Sequence, residues 1–491
     1  MYLGIDLGTS SVKIVLIDSK QKLIGEASCK LSISHPKALW SEQDPKEWWK
    51  ATNVAMQNLK DVHSKELSQV KAIGLSGQQH GAVLLNKENQ VLRPAILWND
   101  GRSFKECIAL EKSVPDFDKI TGNQIMPGFT APKLLWVEKH EPKIFKKMHK
   151  TLLPKDYLRL MMTGEYATDM SDASGTMWLD VKKRTWSKEM LEATHLSEAH
   201  MPKLFEGPDV TAEVLSELAL RWGIPSDTVV VAGAGDNAAS ALSLGVIKSG
   251  SSFLSIGSSG VYFVASDAFN PSPQGGVHTM CHCLPNLWHQ MTVHLSAASS
   301  LEWWKKASQE PSVKHLIEEC KKNPKLSPSL YFLPYLSGER SPHNDPYAKG
   351  VFFGLTHDSQ RFDMTRAVLE GVAFNFEQGQ SAMLKAGSKI LETSVVGGGS
   401  TSFYWGTILA SALNRPLTYR KNREVGAAFG AAKLAYLGIS KQDPSTLAPC
   451  GSIEHTAEPN SEMTVLYKEK QKIFSLIYEQ LKPVFAKAYK G

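Results

Sequence analysis

The chain has 491 residues, 42% of them hydrophobic and 21% charged, with a formal net charge of +6. That length calls for two large domains, or three, and the composition is that of a soluble globular protein. No Lys/Arg cluster alternates with aromatics as a nucleic-acid groove requires, and no stretch of about 18 apolar residues is present to span a bilayer.

The first strand begins at Tyr2, which leaves no room for a signal peptide, and the six scattered cysteines fit reduced thiols in the cytoplasm. Residues 2–5, 12–17 and 22–27 read as three short strands joined by tight turns. A helix then starts at Asp44, with Pro45 in its first turn and Glu47 completing a capping-box pattern. Trp48, Ala51, Val54, Ala55 and Leu59 recur along it at helical spacing. Residues 70–75 form a strand that ends at Ser76-Gly77-Gln78-Gln79-His80-Gly81. Residues 228–232 form another, ending at Gly233-Ala234-Gly235-Asp236-Asn237 ahead of a helix over 238–244.

The second half repeats this logic. Strands flank a turn at 257–260, and Val395-Val396 ends at Gly397-Gly398-Gly399-Ser400. Trp405, Ile408, Leu409 and Leu413 mark a helix. Glu424 precedes Ala427-Ala428-Phe429-Gly430-Ala431-Ala432, a small-residue face suited to close packing. Residues 441–463 read as a surface connection, and Leu466, Phe474, Ile477, Leu481 and Phe485 as an amphipathic C-terminal helix that Pro483 is placed to kink.

Asp6-Leu7-Gly8-Thr9-Ser10-Ser11-Val12-Lys13 returns in altered form as Ser255-Ile256-Gly257-Ser258-Ser259-Gly260-Val261. This is a repeat at domain scale, so the chain is expected to fold as two related halves. Turns without bulky side chains let backbone amides approach phosphate oxygens. Only the first copy begins with a carboxylate, so Asp6 can hold Mg²⁺ directly or through water, and Lys13 can add a phosphate contact.

Gly233-Ala234-Gly235 resembles a dinucleotide-binding turn, but the acidic residue expected about 20 positions on is missing: after Asp236 the next is Asp267. Asp236 stands instead where a strand meets a helix, able either to cap that helix or to accept the proton of a substrate hydroxyl. Gln79 and His80 offer amide and imidazole hydrogen bonds to a polyhydroxylated ligand, although a satisfied structural histidine is the commoner reading of that residue taken alone. Trp98 ends an apolar strand and could border the same pocket. No Gly-Lys pair exists, which excludes a Walker P-loop. Cys281-His282-Cys283 lacks the second pair that a structural zinc site needs.

Taken together, these turns resemble the actin-like ATPase domain of sugar kinases, actin and the large heat-shock chaperones. Gly128-Phe129-Thr130-Ala131-Pro132-Lys133-Leu134-Leu135-Trp136-Val137-Glu138-Lys139-His140 is similar to one diagnostic pattern of the FGGY carbohydrate kinases. Gly350-Val351-Phe352-Phe353-Gly354-Leu355, continuing to Asp363 and Ala367-Val368-Leu369-Glu370, is similar to the other. The resemblance covers nearly the whole length and takes in Pro154-Lys155-Asp156-Tyr157 and Leu336-Ser337-Gly338-Glu339-Arg340.

The resemblance implies an α/β fold with two actin-like (ribonuclease H-like) domains flanking a central cleft. Residues 1–246 would bind sugar, 247–440 would bind ATP, and 441–491 would form an extension whose helix packs on the body. It also implies ATP and Mg²⁺ as cofactors, and a ketose as the small-molecule partner, D-xylulose phosphorylated on its 5-hydroxyl. Relatives acting on ribulose, a deoxy-ketose, gluconate or glycerol are the alternatives, and a homodimer is compatible.

Asp236 would be the general base and Asp6 would organise Mg²⁺. Gln79, His80, Asp236, Asn237 and Trp98 would contact the ketose. Gly8, Thr9, Ser10, Lys13, Gly257 and Ser258 would face the nucleotide phosphates, and Gly397, Gly398, Gly399 and Ser400 the adenosine. Gln79, Ser258 and Ser400 stand where the resemblance implies Met, Thr and Ala, and Gln79, bordering the sugar, bears on substrate preference.

Overall fold

The computed structural model describes residues 1–421, 426–447, 449 and 451–489. Glu424 and Cys450 lie outside the described residues. Two mixed sheets organise the chain. In the first, Tyr2–Leu7, Ser11–Ile17 and Leu23–Lys30 form an antiparallel meander; Ala72–Gly77 and Val229–Val231 add in parallel, and Val210–Glu213 pairs antiparallel at the edge.

The second sheet repeats the plan. Ser251–Ile256, Gly260–Ser266 and Trp288–His294 form the meander, Glu392–Val396 and Leu417–Arg420 add in parallel, and His278–Cys281 and Ile453–Ala457 are the edges. The repeat in the two turns is therefore a repeat of topology. Asp6 pairs with Lys13 in one sheet, and Ser255, at the equivalent station, pairs with Val261 in the other.

Strand side chains alternate between two cores, as the pleat dictates. Leu3, Ile5, Val12, Ile14 and Leu16 meet Trp48, Ala55 and Leu59 on one face of the first sheet. Tyr2, Val15 and Ile17 face a second core that also takes in Phe253, Phe263 and Met280 from the other half. A third core lies within the second half, around Tyr262, Leu369, Trp405 and Phe474.

The helix Pro45–Leu67 starts where the sequence indicates, with the Asp44 carboxylate accepting from the Lys46 N–H. Glu47 turns to Lys50 instead of closing a capping box. Val54 is 43% exposed, because it sits on the solvent side of the stripe formed by Trp48, Ala51, Ala55 and Leu59. The expected surface connection over 441–463 holds one strand, Ile453–Ala457, which pairs with Leu417–Arg420. Its inward-facing residues are few, so no alternation betrays it. The last helix, Ser461–Tyr489, runs through Pro483.

Glycines set how closely the layers approach. A Cβ on Gly4 would lie 1.9 Å from the Ala428 carbonyl oxygen, and one on Gly74 1.9 Å from that of Ala431. The small-residue helix Gly426–Ser440 thus lies directly on the first sheet, although its neighbours in sequence belong to the second. On its other side, Gly430 meets the Ala239 carbonyl oxygen of the helix Asp236–Ser243, where a Cβ would come to 1.8 Å.

Candidate active site

That backing fixes the helix whose first residue is Asp236. The chain reaches it from Val229–Val231 through Ala234–Gly235, which pairs beside Ser76–Gly77. Gly233 has φ +84°, and a Cβ there would lie 2.2 Å from the Leu75 carbonyl oxygen, so the turn needs glycine. Asp236 Oδ1 accepts from the Asn237 backbone N–H at 2.7 Å and from Asn237 Nδ2 at 3.0 Å. Its other oxygen makes no hydrogen bond among the described residues. A carboxylate in a first helical turn is also favoured by the helix dipole.

Asp6, at the end of Tyr2–Leu7, is the charged neighbour of Asp236. Burial, and then the negative charge of Asp6, push the Asp236 carboxyl up to about 7, against the two Asn237 donors. Burial pushes Asp6 up to about 6, eased by Ser76 and Lys13. Ser76 stands opposite Asp6 in register, and among the described residues its hydroxyl makes no well-formed hydrogen bond and Asp6 Oδ1 is buried without a partner. Two neighbouring carboxyls, both raised and one orphaned, are a donor set that a hard divalent cation fits.

Asp236 and Asn237 line a cavity of about 220 Å³ with Gln79, His80, Trp98 and Phe129 from the first half and Ser259 and Arg340 from the second. His80 has φ +68°, and its Nδ1 lies 2.8 Å from the Gly175 carbonyl oxygen. Burial lowers its pKa to about 3, so the ring is neutral. Nδ1–H therefore donates to Gly175, which leaves Nε2 as an acceptor for a ligand hydroxyl. The Gln79 amide nitrogen donates to the Ser171 carbonyl at 3.3 Å.

Trp98 joins this wall to the first phosphate turn. Its Nε1–H donates to Thr9 Oγ1 at 3.0 Å, and the Thr9 hydroxyl donates to Gln78 Oε1 at 3.1 Å. Gln43 completes the brace: its Nε2 donates to the Thr9 carbonyl at 2.8 Å, and its Oε1 accepts from Gln78 and Trp48. Gly8 N–H closes the turn onto the Ser11 carbonyl, and Ser10 is exposed at the tip. Lys13 Nζ is 3.0 Å from Glu26, so its charge is already paired.

A larger cavity of about 870 Å³ opens beside the second turn, lined by Gly257, Ser258, Gly398, Gly399 and Thr401 and by apolar Leu301, Ile317 and Tyr404. Gly397 and Ser400 are not on its wall. Gly397, at φ +89°, turns the chain against Ile256, and the Ser400 hydroxyl donates back to the Gly397 carbonyl at 2.6 Å.

A buried charge cluster supports the segment that leads into Asp236. Lys155 is 0% exposed, with Nζ 2.6 Å from Asp156, 2.8 Å from Asp169 and 3.2 Å from Asp172. Asp169 accepts from the Ser171 N–H and hydroxyl, and Ser171 Oγ in turn receives the Gly235 N–H at 3.1 Å. Sequence reasoning attached no role to Lys155, Asp169, Ser171 or Arg340, although Lys155 and Arg340 fall in the quoted patterns. Cys281, His282 and Cys283 are buried in packing: His282 Nε2 is 3.1 Å from the Val246 carbonyl, and Cys283 Sγ lies against that of Ala238.

Residues 1–243 match the N-terminal domain of the FGGY family of carbohydrate kinases, and residues 253–439 match its C-terminal domain. The xylulose kinase of Escherichia coli (strain K12) is 49% identical over 487 residues, covering 99% of this chain and 100% of that protein. A solved xylulose kinase from Brucella ovis superposes with a TM-score of 0.95 at 47% identity, covering 98% of this chain and 99% of the other. The xylulose kinase of Rhodospirillum rubrum gives a TM-score of 0.92 at 27% identity, covering 99% of both chains.

Proposed function

The chain belongs to the FGGY family of carbohydrate kinases, and from that premise we propose that it transfers the γ-phosphoryl group of ATP to the 5-hydroxyl of D-xylulose, yielding D-xylulose 5-phosphate and ADP. The structural observation that carries this reading is Asp236: one oxygen is tied to Asn237 and the other is open on the wall of a sugar-sized cavity. The 49% identity to a xylulose kinase along the whole chain supports the choice of sugar.

In this reading the ketose lies between His80, Trp98 and Asn237 with its terminal hydroxyl at Asp236. Asp236 takes the O5 proton as O5 bonds to the γ-phosphorus and the bond to the β-phosphate oxygen breaks. A base held near 7 is matched to that transfer at neutral pH. The adenosine occupies the larger cavity against Gly398 and Gly399, and the phosphates run between the two glycine-lined turns.

Asp6, through its orphaned Oδ1, would hold Mg²⁺ directly or through water. What that ion supplies when bound is charge neutralisation on the phosphate oxygens. Thr9, braced by Gln78, Trp98 and Gln43, keeps the first turn in position. The domain limits 1–246, 247–440 and 441–491 and a cytoplasmic site of action belong to the same proposal. No helix among the described residues is long and apolar enough to cross a membrane.

The test is ADP release by the purified enzyme with D-xylulose, ribulose, a deoxy-ketose, gluconate and glycerol, ranked by kcat/KM. D-Xylulose is expected to rank first. A different sugar in first place overturns the choice of substrate, and ATP hydrolysis without any sugar product overturns the kinase.

A further inference from the structure

Arg340 stands apart from the other arginines that the fold encloses. Arg93 and Arg102 are paired with carboxylates, Arg184 with Glu206, and Arg159 and Arg366 with backbone carbonyls. The Arg340 guanidinium lines the sugar cavity and, among the described residues, makes no hydrogen bond and no ion pair. Its acidic neighbour Glu339 is buried and already satisfied. Glu339 Oε1 accepts from the Leu295 and Arg340 backbone N–H groups at 3.0 and 2.7 Å, and Oε2 from Asn375 at 2.5 Å.

The backbone that presents Arg340 is fixed. Ser341 N–H donates to the Val293 carbonyl, and Val293 N–H to Ser341 Oγ, both at 3.0 Å. A half-buried guanidinium held on a rigid frame, with no partner among the described residues, has its donors free for a ligand that supplies acceptors.

Its place in the cavity says which part of the ligand it meets. The charge of Arg340 bears on His80 and His278, whose rings flank Phe129 at 4.7 and 6.0 Å. The charge that bears on Asp236 is that of Asp6 instead. The loop bearing Arg340 is also tied beside His278: Ser341 Oγ donates to the Gly276 carbonyl at 2.6 Å and Asn344 Nδ2 to Gln124 Oε1 at 2.9 Å, next to the His278–Asn123 contact, which sets Arg340 toward the Phe129–His278 end of the cavity. With O5 at Asp236, as the proposed reaction requires, the opposite end of a ketopentose is its C1–C2 end.

Sugar chemistry sharpens this. A 2-ketopentose closes its furanose ring by adding O5 to C2, so a molecule with a free 5-hydroxyl is open-chain, and its keto form carries a carbonyl at C2. We infer that Arg340, supplied by the second half of the chain, donates to the C2 carbonyl oxygen of the open-chain ketose and thereby selects ketoses over the corresponding polyols.

This inference rests on the proposed phosphorylation of O5, and the two fail separately. D-Arabinitol and xylitol, the two C2-reduction products of D-xylulose, keep the 5-hydroxyl and lack the carbonyl. The experiment compares KM for D-xylulose with the competitive Ki of each polyol in the wild type, Arg340→Met and Arg340→Lys. The wild type is expected to favour the ketose. In Arg340→Met, kcat/KM for D-xylulose falls about 30-fold, chiefly through KM, while each polyol Ki moves less than about 3-fold. The polyol Ki also reports that the variant is folded. Arg340→Lys, which keeps the charge and one donor, recovers part of the ketose preference.

Equal losses for ketose and polyol in both variants, or an unchanged KM for D-xylulose, overturn the assignment. A wild-type enzyme that releases no ADP with D-xylulose sinks the parent reaction instead, before any variant is compared.

Discussion

Replacing Asp236 with Asn removes the proposed base and also relieves a strain that the fold imposes on its carboxylate. Burial and the Asp6 charge hold the carboxyl at about 7 instead of 3.8. That difference corresponds to about 4 kcal/mol at full burial, and water reaching the cleft reduces it to about 2 kcal/mol. The sign follows from proton binding. Between pH 3.8 and about 7 the folded chain keeps a proton that the unfolded chain has released, so stability falls as pH rises through that window.

Asn cannot ionise, so Asp236→Asn is expected to gain about 2 kcal/mol at pH 8, seen as a rise of about 2–4 °C in thermal midpoint without nucleotide or Mg²⁺. Near pH 4 the gain disappears. The same protein should bind ATP and show no sugar-dependent ADP release. A stability change that does not vary with pH refutes the electrostatic argument, and full sugar-dependent ADP release by the variant removes Asp236 from the role of base.

Thr9→Val breaks the link between Trp98 and Gln78, and kcat/KM should fall about 10-fold for the two hydrogen bonds lost; an unchanged value in the coupled ADP assay refutes the brace. Gly430→Ala puts a methyl 1.8 Å from the Ala239 carbonyl oxygen and should cost about 1–3 kcal/mol by thermal denaturation, with kcat falling as the Asp236 helix shifts. Gly398 has open space on its Cβ side and lines the larger cavity, so Gly398→Val should stay within about 0.5 kcal/mol of the parent in stability while KM for ATP rises about 10-fold. An unmoved KM for ATP would take the nucleotide out of that cavity.

What could be read from the sequence was local. The meander turns at 8–10 and 257–259, the Asp44 cap and the strand-to-helix junction before Asp236 are each written in a few adjacent residues, and each is found in the structure. Contacts between distant segments were not legible. Beyond its neighbour Asp156, nothing near Lys155 announces that Asp169 and Asp172 converge on it, or that Ser171 carries their hold on to Gly235.

A serine after three glycines looks available, and the structure shows the Ser400 hydroxyl donating back to the Gly397 carbonyl. Lys13 looked like a phosphate ligand, and its partner Glu26 sits on the neighbouring strand. The small-residue run 427–432 signalled close packing but could not say against what. Its partner is the first sheet, through glycines more than 350 residues earlier in the chain.

That last contact bears on how the enzyme is made. The strands carrying Gly4 and Gly74 are synthesised more than 350 residues before the helix that covers them, Gly426–Ser440. Until it arrives, the groove along those strands stays open and the segment bearing Asp236 lacks its support. A chain translated only as far as Asp236 would carry Asp6, His80 and Asp236 without the helix that backs the last of them, so the cleft can be completed only after residues 426–440 have been made.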